Sequence, residues 1–130
     1  MMVKFKDDNA RLKDEFDTKI DCRLQFILLN LATYVYERFK KQVVVTCLIR
    51  TGAENAATAG SNPQSAHLRG DAADIRSFIY SEEEIQEIIA YLKHHWGPMI
   101  HAIFHNPGGN GPHIHININY AYSAKTYPVN

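Results

Sequence analysis

The sequence lacks several features that would assign it to a common class. It has only two cysteines, Cys22 and Cys47, without CxxC spacing, which argues against a disulfide framework and favours free thiols buried as small hydrophobic residues. The segment 1–16 alternates charged and apolar residues, so no secretory signal peptide is predicted. No apolar run is long enough to cross a membrane. We therefore expect a protein that is cytoplasmic at synthesis and has no membrane partner.

The sequence also has no excess of positive or negative charge. The 14 basic and 14 acidic residues balance to a formal net charge of zero, and no basic cluster stands out, so we expect no nucleic-acid partner. With 130 residues, 45% hydrophobic and 22% charged, the composition is that of an ordinary globular protein. The length predicts a single domain spanning residues 1–130.

Two segments have the spacing of amphipathic helices. From about Ile20 to Lys40, apolar residues recur every three or four positions, which is the period of a helix that buries one face. A second helix is predicted to begin after Ser81, because Glu84 three residues later completes a capping box. The pair Gly97-Pro98 is predicted to end it.

Short runs rich in β-branched and apolar residues predict strands between and after these helices. The runs are Gln42–Ile49, Ala72–Arg76, Met99–His105 and His113–Asn119. Small polar residues predict a loop over Arg50–Gln64, and the last two strands are expected to form a hairpin around the long loop Asn106–Gly111. This order of elements predicts an α+β fold, with helices packed against a mainly antiparallel sheet.

Residues 65–74 carry a dense pattern of a histidine, an aspartate and small residues. The pattern is S-x-H-x-x-G-x-A-x-D, with fixed positions at Ser65, His67, Gly70, Ala72 and Asp74. It resembles the signature of the zinc D-alanyl-D-alanine carboxypeptidase family. That family includes D,D-dipeptidases and phage L-alanyl-D-glutamate endolysins, and it shares its metal site with the sonic hedgehog N-terminal domain. The resemblance covers about residues 43–119 and implies the same kind of fold.

The resemblance implies one zinc ion per chain, held by His67, Asp74 and a histidine about forty residues downstream. The His-x-His match assigns that third ligand to His115, and a shifted alignment through Pro112 would assign it to His113 instead. Imidazole nitrogen and carboxylate oxygen are zinc ligands, and a catalytic site keeps a fourth position open for water. Gly70 is expected to allow the turn between the first two ligands.

The resemblance also suggests residues for binding and proton transfer. Arg50 is expected to bind a substrate carboxylate or the oxyanion. Many members place a Glu or Asp just before the third ligand, but no acidic residue lies between Trp96 and Asn130. Proton transfer is therefore expected from His113 or from a carboxylate elsewhere in the chain. Arg69 and Asp71, at unspecified motif positions, are expected to be solvated.

The expected function is a zinc metallopeptidase that hydrolyses an amide bond in the stem peptide of bacterial peptidoglycan. A compact domain of this kind resembles a phage or prophage lysis enzyme, which would reach the cell wall through a holin or on a virion. The alternative is a zinc-stabilised binding or virion-associated module without turnover. The missing acidic residue favours the alternative, and the complete motif with His-x-His opposes it.

Overall fold

A computed structural model describes residues 3–58, 62–106 and 111–124 of the chain. The strands in these ranges are β1 (Val3–Phe5), β2 (Val43–Cys47), β3 (Ala72–Arg76), β4 (Ile100–His105) and β5 (His113–Ile118). The α-helices in the same ranges are α1 (Ala10–Thr18), α2 (Cys22–Phe39), α3 (Gly52–Ala57) and α4 (Glu82–Trp96).

The strands form one five-stranded sheet in the order β1-β2-β3-β5-β4. β1 lies parallel to β2, and the other neighbouring pairs are antiparallel. This arrangement confirms the predicted α+β fold with a mainly antiparallel sheet. The two strands that carry the motif aspartate and the His-x-His pair, β3 and β5, are direct neighbours at its centre.

One face of the sheet is buried against the helices. Successive side chains of a strand point to opposite faces, and Ile75 on β3 and Ile114 on β5 belong to the hydrophobic core. Leu28 on α2 and Leu92 on α4 join the same core and have no exposed surface. Burying a side chain of this size stabilises the fold by about 1.5–3 kcal/mol. The other face is left for the polar side chains of the same strands.

The two predicted helices are confirmed. The predicted segment Ile20–Lys40 corresponds to α2, which begins after Asp21, whose side chain accepts a hydrogen bond from the backbone N–H of Arg23. α4 begins after Ser81 with both hydrogen bonds of the predicted capping box to Glu84. The start of α4 could be predicted because both residues of its capping box lie close together in the sequence.

Two local predictions were wrong. The segment Arg50–Gln64 contains the helix α3, which begins with a capping box between Thr51 and Glu54. This box has the same Ser/Thr-x-x-Glu spacing as the one at α4, but the segment lacks the apolar period that would have marked a helix. The cysteines are not buried either, because Cys22 is exposed and Cys47 is half-buried.

Residues 3–19, for which no element was predicted, include β1 and α1. α1 begins after Asn9, whose side chain accepts a hydrogen bond from the backbone N–H of Leu12. Of the predicted hairpin loop Asn106–Gly111, residues 107–110 lie outside the described residues. None of the helices in the described ranges has the length and apolar character needed to cross a membrane.

Candidate active site

The motif segment forms a tight turn that presents His67 to the sheet. Ala66–Arg69 is a short 3-10 helix, capped by the Ser65 hydroxyl, which accepts a hydrogen bond from the backbone N–H of His67 at 3.2 Å. Gly70 ends the turn with φ +75°, and a Cβ at this position would lie 3.3 Å from the carbonyl oxygen of Lys19. A side chain is therefore disfavoured both by the backbone conformation and by the close approach of the neighbouring chain.

The register of the sheet places the other predicted ligands beside His67. Asp74 on β3 is directly opposite His115 on β5, and Arg76 is opposite His113. Because alternate residues of a strand share a face, His113 and His115 point to the same side as Asp74. Asp74 and His115 are 41 residues apart in the sequence, and the pairing of two adjacent strands brings them together.

Three imidazole rings converge on one carboxylate oxygen, Oδ1 of Asp74. The nearest nitrogen is Nδ1 of His115 at 2.9 Å. Nε2 of His67 lies at 3.2 Å and Nε2 of His113 at 3.5 Å from the same oxygen. Asp74 and His67 are both almost fully buried, so the contacts are shielded from solvent.

The outward nitrogen of each ring faces a hydrogen-bond acceptor, which fixes the orientation of the ring. Carbonyl oxygens can only accept, so these outward nitrogens carry the proton. The acceptors are the carbonyl oxygen of Leu48 for His67 at 2.6 Å, that of Gly111 for His113 at 3.1 Å, and Oδ1 of Asn117 for His115 at 2.9 Å. In the neutral rings, the three inward nitrogens then present lone pairs to Asp74.

A cluster of inward lone pairs around a carboxylate requires a cation or a proton between the groups. Burial opposes the charged form of His67, but the hydrogen bonds to Asp74 and Cys47, together with the charges of these two groups, outweigh this effect and raise the pKa of His67 to about 10. Burial likewise opposes ionisation of Asp74, but the hydrogen bonds from His115 and His67 hold its pKa below the ordinary value. The donor set of imidazole nitrogens and carboxylate oxygen is one that fits a divalent transition metal.

Comparison with family models identifies the protein family of this chain. Residues 6–116 match the model described as Peptidase M15, and this range contains His67, Asp74 and both histidines of the His-x-His pair. The chain belongs to the Peptidase M15 family. Its members are metal-dependent peptidases. The curated proteins and the solved structures that were compared with the chain gave no match.

In this M15 peptidase, Cys47 is a possible ligand that the sequence did not reveal. Within the described residues, Cys47, His67 and Asp74 present ligand atoms that all lie within 4.8 Å of one another. The sulfur lies 3.7 Å from Nδ1 of His67, and Cys47 is the sheet partner of Asp74. A half-buried thiol thus adjoins the site, where a small hydrophobic residue was expected. His115 is not a member of this group of three, although it has the shortest contact with Asp74.

Arg50 lies beside the site, between β2 and α3. One guanidinium nitrogen is 3.6 Å from Oδ2 of Asp74, and another donates to the side-chain oxygen of Asn55 at 3.3 Å. Its backbone N–H donates to the carbonyl oxygen of His67 at 3.2 Å. The structure therefore brings Arg50 to the other predicted site residues, with a cation next to the carboxylate oxygen that faces away from the imidazoles.

The site of the M15 peptidase opens into a cleft with a volume of about 450 Å³. Its wall includes His101 and His105 from β4 and Tyr120 beyond β5. Burial lowers the pKa of both histidines, which favours their neutral forms. Among the described residues that line this cleft, Asp74 is the one carboxylate. No further carboxylate therefore reaches the site from the described part of the cleft wall.

The prediction that Arg69 and Asp71 are solvated was wrong. Asp71 is buried, and its Oδ2 accepts hydrogen bonds from Nε of Arg69 at 3.0 Å and from the hydroxyl of Ser123 at 2.5 Å. The guanidinium of Arg69 also lies over the ring of Tyr120 at 5.2 Å. These contacts tie the motif turn to the segment after β5. Spacing within the motif could not reveal the contacts with Ser123 and Tyr120, because these partners are far from the motif in the sequence.

Proposed function

We propose that this chain is a zinc peptidase that hydrolyses an amide bond in the stem peptide of bacterial peptidoglycan, with His67, Asp74 and His115 as zinc ligands. The observation that supports it most strongly is the convergence of oriented imidazole nitrogens on Oδ1 of Asp74. Ligand atoms bonded to a tetrahedral zinc ion at about 2 Å lie about 3.3 Å from one another. The contacts of 3.2 and 2.9 Å between Asp74 and the two imidazoles are close to that spacing.

The choice of His115 over Cys47 follows from the orientation of the His67 ring. Cys47 lies beside Nδ1, and Nδ1 is already hydrogen-bonded to the carbonyl oxygen of Leu48. The nitrogen left for a metal is Nε2, which faces Asp74. His115 is favoured over His113 because it is the sheet partner of Asp74 and lies 2.9 Å from it, compared with 3.5 Å for His113.

His113 is the residue that we assign to proton transfer. Its Nδ1 is held by the carbonyl oxygen of Gly111, and its Nε2 points into the site. In the neutral ring, Nε2 can take a proton from an attacking water molecule and deliver it to the amine that leaves. Bound zinc would supply Lewis acidity to the scissile carbonyl group and to water.

Arg50 is assigned to the binding of negative charge. Its guanidinium is mostly buried, with the side chain 14% exposed, and the hydrogen bond to Asn55 holds it at the edge of the cleft. A fixed cation here can pair with a substrate carboxylate or with the oxyanion that develops during hydrolysis. Desolvation strengthens either interaction, because the screening of the charges by water is reduced.

A non-catalytic, zinc-stabilised binding module, including one carried on a virion, is the second candidate. It is favoured by the lack of a carboxylate other than Asp74 among the described cleft residues. The ordered position of His113 supports the peptidase instead, since a purely structural site does not need an imidazole beside its ligands. The role that we propose for the peptidase is lysis of the cell wall by a phage or prophage.

The decisive experiment is digestion of purified peptidoglycan by the zinc-loaded protein, with mass analysis of the released fragments. We expect peptide fragments from the wild type and none from His67→Ala or Asp74→Ala, which should also lose the metal. His94→Ala, at an exposed position near the end of α4, is the matched control and should keep both. A zinc-loaded wild type that releases no fragment would favour the binding module. For the lysis role, host cells that express the protein should lyse only when a holin is also expressed.

A further inference from the structure

The candidate site lies between two cavities rather than at the closed end of one. The cleft described above, of about 450 Å³, is joined by a second cavity of about 540 Å³. Both cavities are lined by Arg50, Thr58, Asp74 and His113. Each volume is in the range of pockets that enclose a small organic ligand, so each has room for more than the two atoms of a scissile bond.

The second cavity has a far wall of distinct chemistry. It is lined by Lys6 after β1, by Arg76 at the end of β3 and by Phe78 two residues later. Arg76 is on the same face of β3 as Asp74, because the two residues are separated by one position. The guanidinium carbon of Arg76 lies 4.9 Å from the ring centre of Phe78, and 78% of the surface of Phe78 is exposed.

The charge of this cavity is positive. Among the described residues that line it, Lys6, Arg50 and Arg76 are cations, and Asp74 is the one carboxylate. Asp74 is already contacted by imidazoles and by Arg50, so it does not neutralise Lys6 and Arg76 at the far wall. Arg76 offers a planar set of donors suited to a carboxylate, and stacking on Phe78 restricts its orientation.

We propose that the second cavity is a substrate-binding site for a residue that carries a carboxylate, held by Arg76 and Lys6 with its aliphatic part against Phe78. This inference rests on the peptidase function proposed above. A peptide that occupies both cavities passes the site in the middle of its length. The bond that is cleaved is then an internal one, and the acidic residue in the second cavity gives the enzyme its specificity.

The test compares wild type and Arg76→Gln on two synthetic stem peptides that differ only in the carboxylate, which is free in one and amidated in the other. For the free acid, Arg76→Gln should raise KM about tenfold with little change in kcat, because a charge-assisted hydrogen bond is lost. For the amidated peptide, the same variant should have the KM of the wild type. Arg38→Gln is the matched control, since Arg38 also lies over a phenylalanine ring, Phe39 at 5.6 Å, and lines neither cavity.

The cleavage products and the kinetics of Arg76→Gln together distinguish failure of this proposal from failure of the peptidase function. Two fragments of at least two residues each, together with the KM effect confined to the free acid, support the proposal. Release of a single terminal amino acid, or an equal effect of Arg76→Gln on both peptides, would overturn the second cavity as a specificity site and leave the peptidase function intact. If the zinc-loaded wild type cleaves neither these peptides nor peptidoglycan, the peptidase function fails and this proposal fails with it.

Discussion

Asn117 orients the imidazole ring of His115 through a hydrogen bond. The side-chain oxygen of Asn117 accepts from Nε2 of His115 at 2.9 Å, while Nδ1 on the opposite side of the same ring faces Asp74. The amide nitrogen of Asn117 donates to the carbonyl oxygen of Ile118, so the amide is oriented with its oxygen toward the imidazole. His115 and Asn117 are alternate residues of β5 and therefore share one face of the sheet. This contact selects the tautomer in which Nδ1 is free to bind a metal.

Replacement of Asn117 by alanine should weaken zinc binding by about 10- to 100-fold, the usual effect of losing a group that orients a ligand. Competition with a chelator of known affinity measures the change. Asn117→Asp keeps an acceptor at this position and should restore the affinity. The control is Thr33→Ala, which removes an exposed hydrogen bond to the carbonyl oxygen of Leu29 on α2, outside the site. Equal affinities of Asn117→Ala and wild type would contradict the assignment.

The two histidines of the His-x-His pair should differ when each is replaced. His115→Ala should lose the metal, whereas His113→Ala should keep it and lose turnover, because only His115 is directly opposite Asp74. Metal analysis and peptidoglycan digestion of the same preparations separate the two effects. The reverse result would mean that the ligand is His113 and that the alignment is displaced by two residues.

The contribution of Cys47 can be tested with cobalt in place of zinc. A thiolate ligand gives intense sulfur-to-metal absorption in the near ultraviolet, which a site of imidazole and carboxylate lacks. We expect no such band in the wild type and full metal retention by Cys47→Ala, because the sulfur adjoins the nitrogen of His67 that is bound to Leu48. A strong band that disappears in Cys47→Ala would show that Cys47 is a ligand.

The stability of the metal-free protein should depend on pH because His67 titrates. Since contacts with Asp74 and Cys47 outweigh burial and raise the pKa of His67 to about 10 in the folded state, its charged form contributes stability that is fully present below the unfolded pKa of about 6.5. That stability should be lost as pH rises from about 6.5 through 10. We expect the melting temperature of the metal-free protein to fall over this window, and that of metal-free His67→Gln to fall less.

NMR titration of the imidazole nitrogens in the metal-free protein provides the direct measurement. One ring should stay doubly protonated above pH 8, and its signals should be missing from His67→Gln. If every imidazole is neutral by pH 8, His67 is not protonated by its interaction with Asp74 in the metal-free form. The positive charge that neutralises the Asp74 carboxylate would then be that of Arg50.

Glu15 should affect substrate binding although it lies outside the cleft. Its carboxylate accepts hydrogen bonds from Arg11 at 2.8 Å and from the backbone N–H of Ile49 at 3.2 Å, and Arg11 also donates to the carbonyl oxygen of Ile49 and to Glu54. These contacts hold the segment that carries Arg50. Glu15→Ala should destabilise the fold by about 1–3 kcal/mol, since a partly buried N–H loses its partner.

Chemical denaturation and steady-state kinetics measure the two effects of Glu15→Ala. The variant should raise KM more than it lowers kcat if Arg50 binds the substrate. Glu15→Gln keeps an oxygen acceptor and should lie between Glu15→Ala and the wild type in both measurements. Lys13→Ala, which removes an exposed ion pair of α1 with Asp17, is the control for general effects on the helix. A loss of stability without any change in KM would contradict the positioning of Arg50.

The sequence by itself determined the long helices, the central strands and the family. The ends of α2 and α4 depend on capping residues a few positions apart, and the pattern at Ser65–Asp74 brings a turn and two candidate ligands within ten residues. Such local patterns are visible in the sequence because capping hydrogen bonds and the apolar period join residues that are only a few positions apart. Short helices such as α1 and α3 were missed, since they carry too few residues to show a period.

The resemblance implied that His115 shares the site with His67 and Asp74, and the tertiary structure decided how these distant residues meet and which others join them. The pairing of β3 with β5 sets His115 opposite Asp74, and the β2–β3 register adds Cys47 at the same place. No spacing in the sequence predicts the burial of Asp71 or the cations of the second cavity, because their neighbours come from separate elements. Strand register and packing are long-range properties, and they determine which polar groups meet and which nitrogen of each imidazole is left to bind a metal.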